Sequence, residues 1–239
     1  MSQIKREDIS KFLVHLTKKY NDNSAEDNLF SILGQKTIKA VNPYCLFHPI
    51  FDTMKFSEIL KKKFSSVCFT ETPLAQLSHL TNNKRRMLEP YGLVFLKNHL
   101  LQDGASPAIY INTSGTNMRK FLLNKFRSDF KDIKTYRKLK SIAPNYLAKI
   151  QYYSLINIIS EKYNFTWERE WRINGDFKFG YHQIFAILVP DRDDFISKAK
   201  EKFTKTKFNQ INKIPIISLD WNYEDIVEML AIQLWEQET

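Results

Sequence analysis

Trp167-Glu168-Arg169-Glu170-Trp171-Arg172-Ile173 is the stretch on which the reading of the fold turns. Bulky and charged residues alternate through it with a period of two, which predicts a β-strand over Thr166 to Ile173. Trp167, Arg169, Trp171 and Ile173 fall on one face, which is mostly apolar and expected to be the core side. Glu168, Glu170 and Arg172 fall on the other. Carboxylates two residues apart on one strand face repel each other unless a cation or a ligand balances them, and Arg172 supplies part of that balance. The row therefore reads either as a solvated, salt-bridged strand or as a site.

Outward from this stretch the pattern alternates between strands and helices. Short strands are expected at residues 10–17, 66–71, 92–96, 108–112, 185–189 and 214–219. Ser24 is a helix N-cap before Ala25-Glu26-Asp27, with acidic residues in the first turn, and Gly34 is the expected stop. Phe56 to Lys63 reads as a helix ending in Lys61-Lys62-Lys63, and Pro73 opens another over Leu74 to Leu80. From Asn117 to about Lys140, Leu122, Phe126, Phe130 and Ile133 recur at spacings of four, four and three, one stripe of an amphipathic helix. Pro144 starts a helix running to about Lys162, and further helices are expected over 193–203 and 223–235. No repeat or low-complexity linker interrupts the chain, so residues 1–239 read as one α+β domain.

Composition narrows the class. Of 239 residues, 43% are hydrophobic and 14% aromatic, enough to bury a core. No run of eighteen apolar residues suggests a spanning helix, and Met1 to Asp8 lacks the apolar stretch of a secretory signal. The expectation is a cytoplasmic protein with no membrane partner. Cys45 and Cys68 are then expected as reduced thiols, and Cys68 as core packing. No Cys/His spacing resembles a zinc site, so no metal is expected.

The net charge is +10, and it is concentrated. Thr116 to Ile150 holds ten basic residues against Asp129 and Asp132. Arg119, Lys120, Lys125, Arg127, Lys134, Arg137 and Lys138 make this stretch a candidate nucleic-acid surface, with a solvated Lys-rich face as the plainer reading. A second basic stretch runs through Lys198, Lys200, Lys202, Lys205, Lys207 and Lys213. Two smaller signals are His15 with Thr17 on one face of the first strand, and the hydroxyl-rich Thr70-Glu71-Thr72-Pro73 after Phe69.

These residues carry a resemblance. His15-Leu16-Thr17 followed by Asn28-Leu29-Phe30-Ser31-Ile32-Leu33-Gly34 resembles the start of DarT-type ADP-ribosyltransferases. Val67 to Pro73, Tyr91-Gly92-Leu93-Val94-Phe95 and Glu168-Arg169-Glu170-Trp171-Arg172 resemble the abortive-infection family AbiGi. Together they span about residues 10–190. The resemblance implies an ADP-ribosyltransferase-like split mixed sheet with flanking helices, and a phage-defence toxin that transfers ADP-ribose from NAD to RNA or single-stranded DNA. It implies Glu170 as the catalytic acid, stabilising an oxocarbenium-like transition state, and Glu168 as its companion. By the same resemblance His15, Thr17, Asn28, Phe69, Thr70 and Tyr91 would hold NAD, with Lys61 to Lys63 as candidates for its phosphates. One departure is that Phe69-Thr70 stands where some relatives carry a tyrosine. Such a toxin would need a neutralising antitoxin protein. AbiGi relatives have also been regarded as the antitoxin half of a two-gene system, so the alternative is a non-catalytic antitoxin or nucleic-acid-binding regulator.

Overall fold

Leu122, Phe126, Phe130 and Ile133 are buried along their whole stripe, and Phe126 and Phe130 are fully enclosed. They belong to a computed structural model that describes residues 9–81, 88–131, 133, 144–159, 164, 166–219, 222 and 224–229. The α-helices are α1 (Ala25–Gln35), α2 (Glu58–Lys63), α3 (Leu77–Thr81), α4 (Lys97–Gln102), α5 (Met118–Asp129), α6 (Pro144–Leu155), α7 (Arg192–Lys202) and α8 (Lys205–Ile211). The strands are β1 (Phe12–Leu16), β2 (Thr37–Ile38), β3 (Ser66–Thr70), β4 (Gly92–Leu96), β5 (Ser106–Pro107), β6 (Ile109–Asn112), β7 (Ile156–Ile159), β8 (Glu170–Asn174), β9 (Phe177–Lys178), β10 (Ile184–Val189) and β11 (Ile216–Ser218). Residues 224–229 are also helical. The class is α+β, as the alternation of patterns implies. The chain divides into two compact units, residues 1–37, 69–102 and 178–239, and residues 38–68 and 103–177.

In the first unit the strands run side by side in the order β11-β10-β4-β1. β1 and β4 are antiparallel, with Val14 opposite Val94 and Leu16 opposite Gly92. A side chain at residue 92 would place its Cβ 2.5 Å from the carbonyl oxygen of His15, so only glycine permits this close pairing. β10 is antiparallel to β4 and parallel to β11, which makes the sheet mixed. A parallel pair needs a crossover, and α7 and α8 supply it. Val14, Val94, Ala186, Leu188 and Ile217 bury a common cluster with Leu77.

α1 forms where Ser24 and Asp27 make a capping box: the Asp27 N–H donates to Ser24 Oγ at 3.0 Å, and the Asp27 carboxylate accepts from the Ser24 N–H. Its apolar side buries Ala25, Leu29, Phe30 and Leu33, and Phe30 stacks on Phe195 of α7 at 5.1 Å between ring centroids. The stop expected at Gly34 comes slightly later. The helix runs through Gln35, and Lys36 takes the left-handed conformation at φ 51. A left-handed non-glycine residue costs about 1–2 kcal/mol. The Lys36 N–H, donating to the carbonyl of Ile32, offsets part of that.

The second unit is built on aromatic packing. Phe47, Phe51, Phe56, Phe64, Phe126, Phe130 and Tyr153 share one buried cluster, and Phe47 stacks on Phe126 with centroids 4.5 Å apart. The Ser66–Cys68 part of β3, β8 and β5 lie side by side in that order, and β5 is antiparallel to β8 with Ser106 opposite Arg172. β6 and β7 form a separate parallel pair.

Several expectations need correction here. The helix from Pro144 ends at Leu155 rather than Lys162, and Ile156–Ile159 is a strand. Its three isoleucines are stiff at χ1 and suit a pleated surface better than a helix. The helix from Asn117 ends at Asp129, and residues 134–140 lie outside the described residues, as do 230–235 of the last expected helix. The strand expected from Thr166 begins only at Glu170, because Thr166–Glu168 form a turn of 3-10 helix. α4 and α8 were not expected; α8 is capped by Thr204, whose Oγ1 accepts from the Lys207 N–H.

The aromatic core gives a direct stability test. Phe126→Ala should lower the unfolding free energy by about 3–5 kcal/mol. Phe121→Ala on the same helix, at 63% exposure, should change it by about 0.5 kcal/mol or less. Urea titrations of the two variants check this, and equal effects would contradict the assignment of the buried stripe.

Candidate functional site

Of the expected faces of the Trp167–Ile173 segment, Ile173 is buried as expected, whereas Trp167, Glu170 and Arg172 are reversed. Arg169 sits in the left-handed region at φ 46, directly after the 3-10 turn, so regular alternation starts only at Glu170. Trp167, expected in the core, is 42% exposed. Glu170 and Arg172, expected on a solvated or site-forming face, are 7% and 3% exposed. Glu168 is half-buried on the 3-10 turn and is not part of the strand.

Burying two charges is tolerated only when each is paired and hydrogen-bonded. Here both conditions are met within the second unit. Arg172 Nε donates to Glu170 Oε1 at 2.9 Å, and Nη2 donates to Oε2 at 3.0 Å, a bidentate pair. Arg172 Nη1 donates to the carbonyl oxygens of Tyr44 at 2.9 Å and Ser154 at 2.6 Å. The Tyr110 hydroxyl donates to Glu170 Oε2 at 2.7 Å, and the Cys68 thiol is hydrogen-bonded to the same carboxylate. Asn42 Nδ2 donates to Cys68 Sγ at 2.9 Å. A carboxylate offers about four lone-pair sites, and four donors converge on this one.

The electrostatics follow from that geometry. Burial alone would push the Glu170 carboxyl up. The charge of Arg172, its hydrogen bonds and those from Cys68 and Tyr110 outweigh it, and the net direction is down. Burial, reinforced by the neighbouring Glu170, pushes the Cys68 thiol up to about 12, so the sulfur stays protonated and unreactive. The same two causes raise the Tyr110 phenol. Tyr110, Asn42 and Ser154 carry no motif; only their convergence in the fold reveals them.

The other expected site residues lie in the first unit. His15 packs edge-on against Phe69, with ring centroids 5.9 Å apart. Thr17 is buried, and its hydroxyl donates to the carbonyls of Ala25 at 2.9 Å and Tyr91 at 3.2 Å, tying the β1 end to α1 and to the segment before β4. Asn28 Nδ2 donates to the Lys18 carbonyl at 2.8 Å. Thr70 and Thr72 share a 2.8 Å hydroxyl contact at the β3 end. Tyr91 is half-buried, and burial raises its phenol. In the second unit Lys61 is already paired with Asp52 and Glu58. Among the described residues no group of three His, Cys, Asp or Glu could hold a metal ion, and no helix is long and apolar enough to cross a membrane.

The basic stretches differ in how far they are neutralised internally. Lys198 bridges Glu26 and Asp194, Lys202 bridges Asp27, and Lys207 donates to the Gly34 carbonyl. On α5, Lys125 pairs with Asp129 at 2.7 Å, and Lys149 of α6 reaches the same oxygen at 3.3 Å. The Tyr153 hydroxyl donates to the other Asp129 oxygen. Arg127 reaches Asn124. Arg119 and Lys120 are exposed and have no ion-pair partner among the described residues. Lys134, Arg137 and Lys138 lie outside the described residues.

The buried pair predicts a stability cost and a pH signature. Glu170→Gln strands a buried guanidinium and should destabilise the fold by about 3–5 kcal/mol at neutral pH. Because the folded carboxyl is held below its ordinary value of 4.5, its contribution is full above that value and lost as pH falls through the lowered one. Urea midpoints across pH 3 to 7, roughly spanning the acid limb, should fall steeply for the wild type below about 4.5 and less steeply for Glu170→Gln. Parallel curves would contradict the pairing.

The comparisons bear on the whole chain. No curated protein and no solved structure matches it. Residues 39–232, most of its length, match the family model of abortive phage resistance protein AbiGi, antitoxin. The match does not include the His-x-Thr start that resembles DarT-type enzymes. It overturns the reading of the chain as a toxin that ADP-ribosylates a nucleic acid and favours the antitoxin half, while the nucleic-acid acceptor gains no support. With most of its length inside that match, the chain belongs to the AbiGi family of abortive phage resistance antitoxins.

Proposed function

We propose that this protein is the non-catalytic antitoxin of an abortive-infection pair and neutralises a toxin protein by binding it. The family match over residues 39–232 is the observation that carries the reading. The state of Glu170 agrees with it. A carboxylate that stabilises a sugar cation has to present free lone pairs to that cation. This one meets four donors and a permanent counter-charge, an arrangement suited to holding a fold together. Neutralisation by binding needs neither an ADP-ribosyltransferase-like core nor NAD. It needs surface complementarity, and mass action does the rest.

Co-expression with the protein encoded beside this chain tests the proposal. Growth arrest caused by that neighbour should be relieved by wild-type chain, and the two purified proteins should co-elute. With free chain at about 100 times Kd, only about 1% of the toxin stays unbound. Growth arrest by this chain alone, with loss of cellular NAD, would overturn the antitoxin reading.

A further inference from the structure

The strongest unassigned feature is a groove of about 450 Å³ between α5 and α6 in the second unit. Phe121, Lys125 and Asp129 of α5 line one wall at successive four-residue spacings, and Ala148, Lys149 and Tyr152 of α6 line the other. Phe121 is 63% and Tyr152 51% exposed. Phe121 and Tyr152 line the same groove, and apolar surface gathered into one patch, unlike singly exposed residues, marks a contact site. Met118, one turn before Phe121, is 46% exposed and extends the apolar strip.

The charge around the groove selects its occupant. Asp129, the acidic lining residue, is neutralised by Lys125, Lys149 and the Tyr153 hydroxyl. Arg119 and Lys120 stand exposed at the α5 N-terminal end, with no ion-pair partner among the described residues. The site thus presents aromatic and aliphatic anchor points with surplus positive charge beside them. A phosphate backbone would engage the cations and leave the exposed Met118 side chain without an apolar partner. An amphipathic acidic protein segment would satisfy both the apolar strip and the cations.

We infer that the α5–α6 groove is the docking surface for the toxin, and that it receives an acidic segment of that protein carrying apolar anchor side chains. This rests on the antitoxin reading and adds the place and the chemistry of contact. Phe121 and Tyr152 would be the central anchors, since exposed aromatics carry most of the energy in such contacts. Arg119 and Lys120 would steer the encounter and make binding salt-dependent.

The test uses the full chain and the purified protein encoded beside it. Variants are Phe121→Ala with Tyr152→Ala, Arg119→Glu with Lys120→Glu, and, as a control on the other unit, Lys205→Glu. Each is checked by circular dichroism and thermal midpoint, since all five positions are exposed. Titration calorimetry should show about tenfold or greater weakening for each groove variant, and none for the control. Wild-type affinity should fall as salt rises. If wild type binds and the folded groove variants bind equally well, the groove assignment is wrong while the antitoxin reading stands. If wild type neither binds nor neutralises the neighbour, both fall. If the groove variants lose binding to a labelled single-stranded RNA or DNA 20-mer, of roughly the length a basic groove can track, but keep the toxin, the surface serves nucleic acid and the inference is overturned.

Discussion

A guanidinium and a carboxylate on neighbouring inward positions of one strand hold the second unit together. The Glu170–Arg172 pair touches β8 on which both stand, the carbonyl of Tyr44, the end of α6 through Ser154, β6 through Tyr110 and β3 through Cys68. Transfer of either ion from water without a partner would cost several kcal/mol. The pair therefore exists only while these segments stay assembled, and loosening any of them exposes a charge with an incomplete set of partners.

The same arithmetic of donors and acceptors separates structure from function in this chain. Thr17, Asn28 and Thr70 direct their polar atoms to backbone or to a neighbouring hydroxyl, which fixes turns at the strand ends. On α7, Lys198 and Lys202 are matched by Glu26, Asp27 and Asp194. At the N-terminal end of α5, exposed Arg119 and Lys120 have no ion-pair partner among the described residues and stand beside the apolar side chains of Met118 and Phe121. A binding protein needs little more than such a surface on a rigid support, and the aromatic cluster beneath α5 supplies the rigidity.

The α5 stripe was legible because a 3.6-residue period over about three turns has no strand equivalent. So was the Ser24 cap, whose partner Asp27 stands three residues on. The phase of the Trp167–Ile173 segment was not, for two reasons. Two tryptophans outweigh charged neighbours in any reading by hydrophobicity, and a single sequence cannot show that Glu170 and Arg172 satisfy one another in the interior. The 3-10 turn and left-handed Arg169 then break the alternation between Thr166 and Glu170. Ile156–Ile159 was hidden by its attachment to a helical run, since a short apolar stretch fits either element until β6 provides a pairing partner. The AbiGi resemblance carries both a toxin and an antitoxin reading, and the family match favours the second; Glu-x-Glu spacing is compatible with catalysis, and spacing does not report on burial.

The most direct measurement is the titration of the Glu170 carboxyl carbon by NMR in selectively labelled protein, with Glu170→Gln used to assign the signal. A carboxylate locked to Arg172 remains ionised below the ordinary value of 4.5 until the fold itself gives way. A midpoint above 4.5, with the protein still folded, would describe an acid open to a ligand or solvent, and would contradict the structural role assigned to the pair.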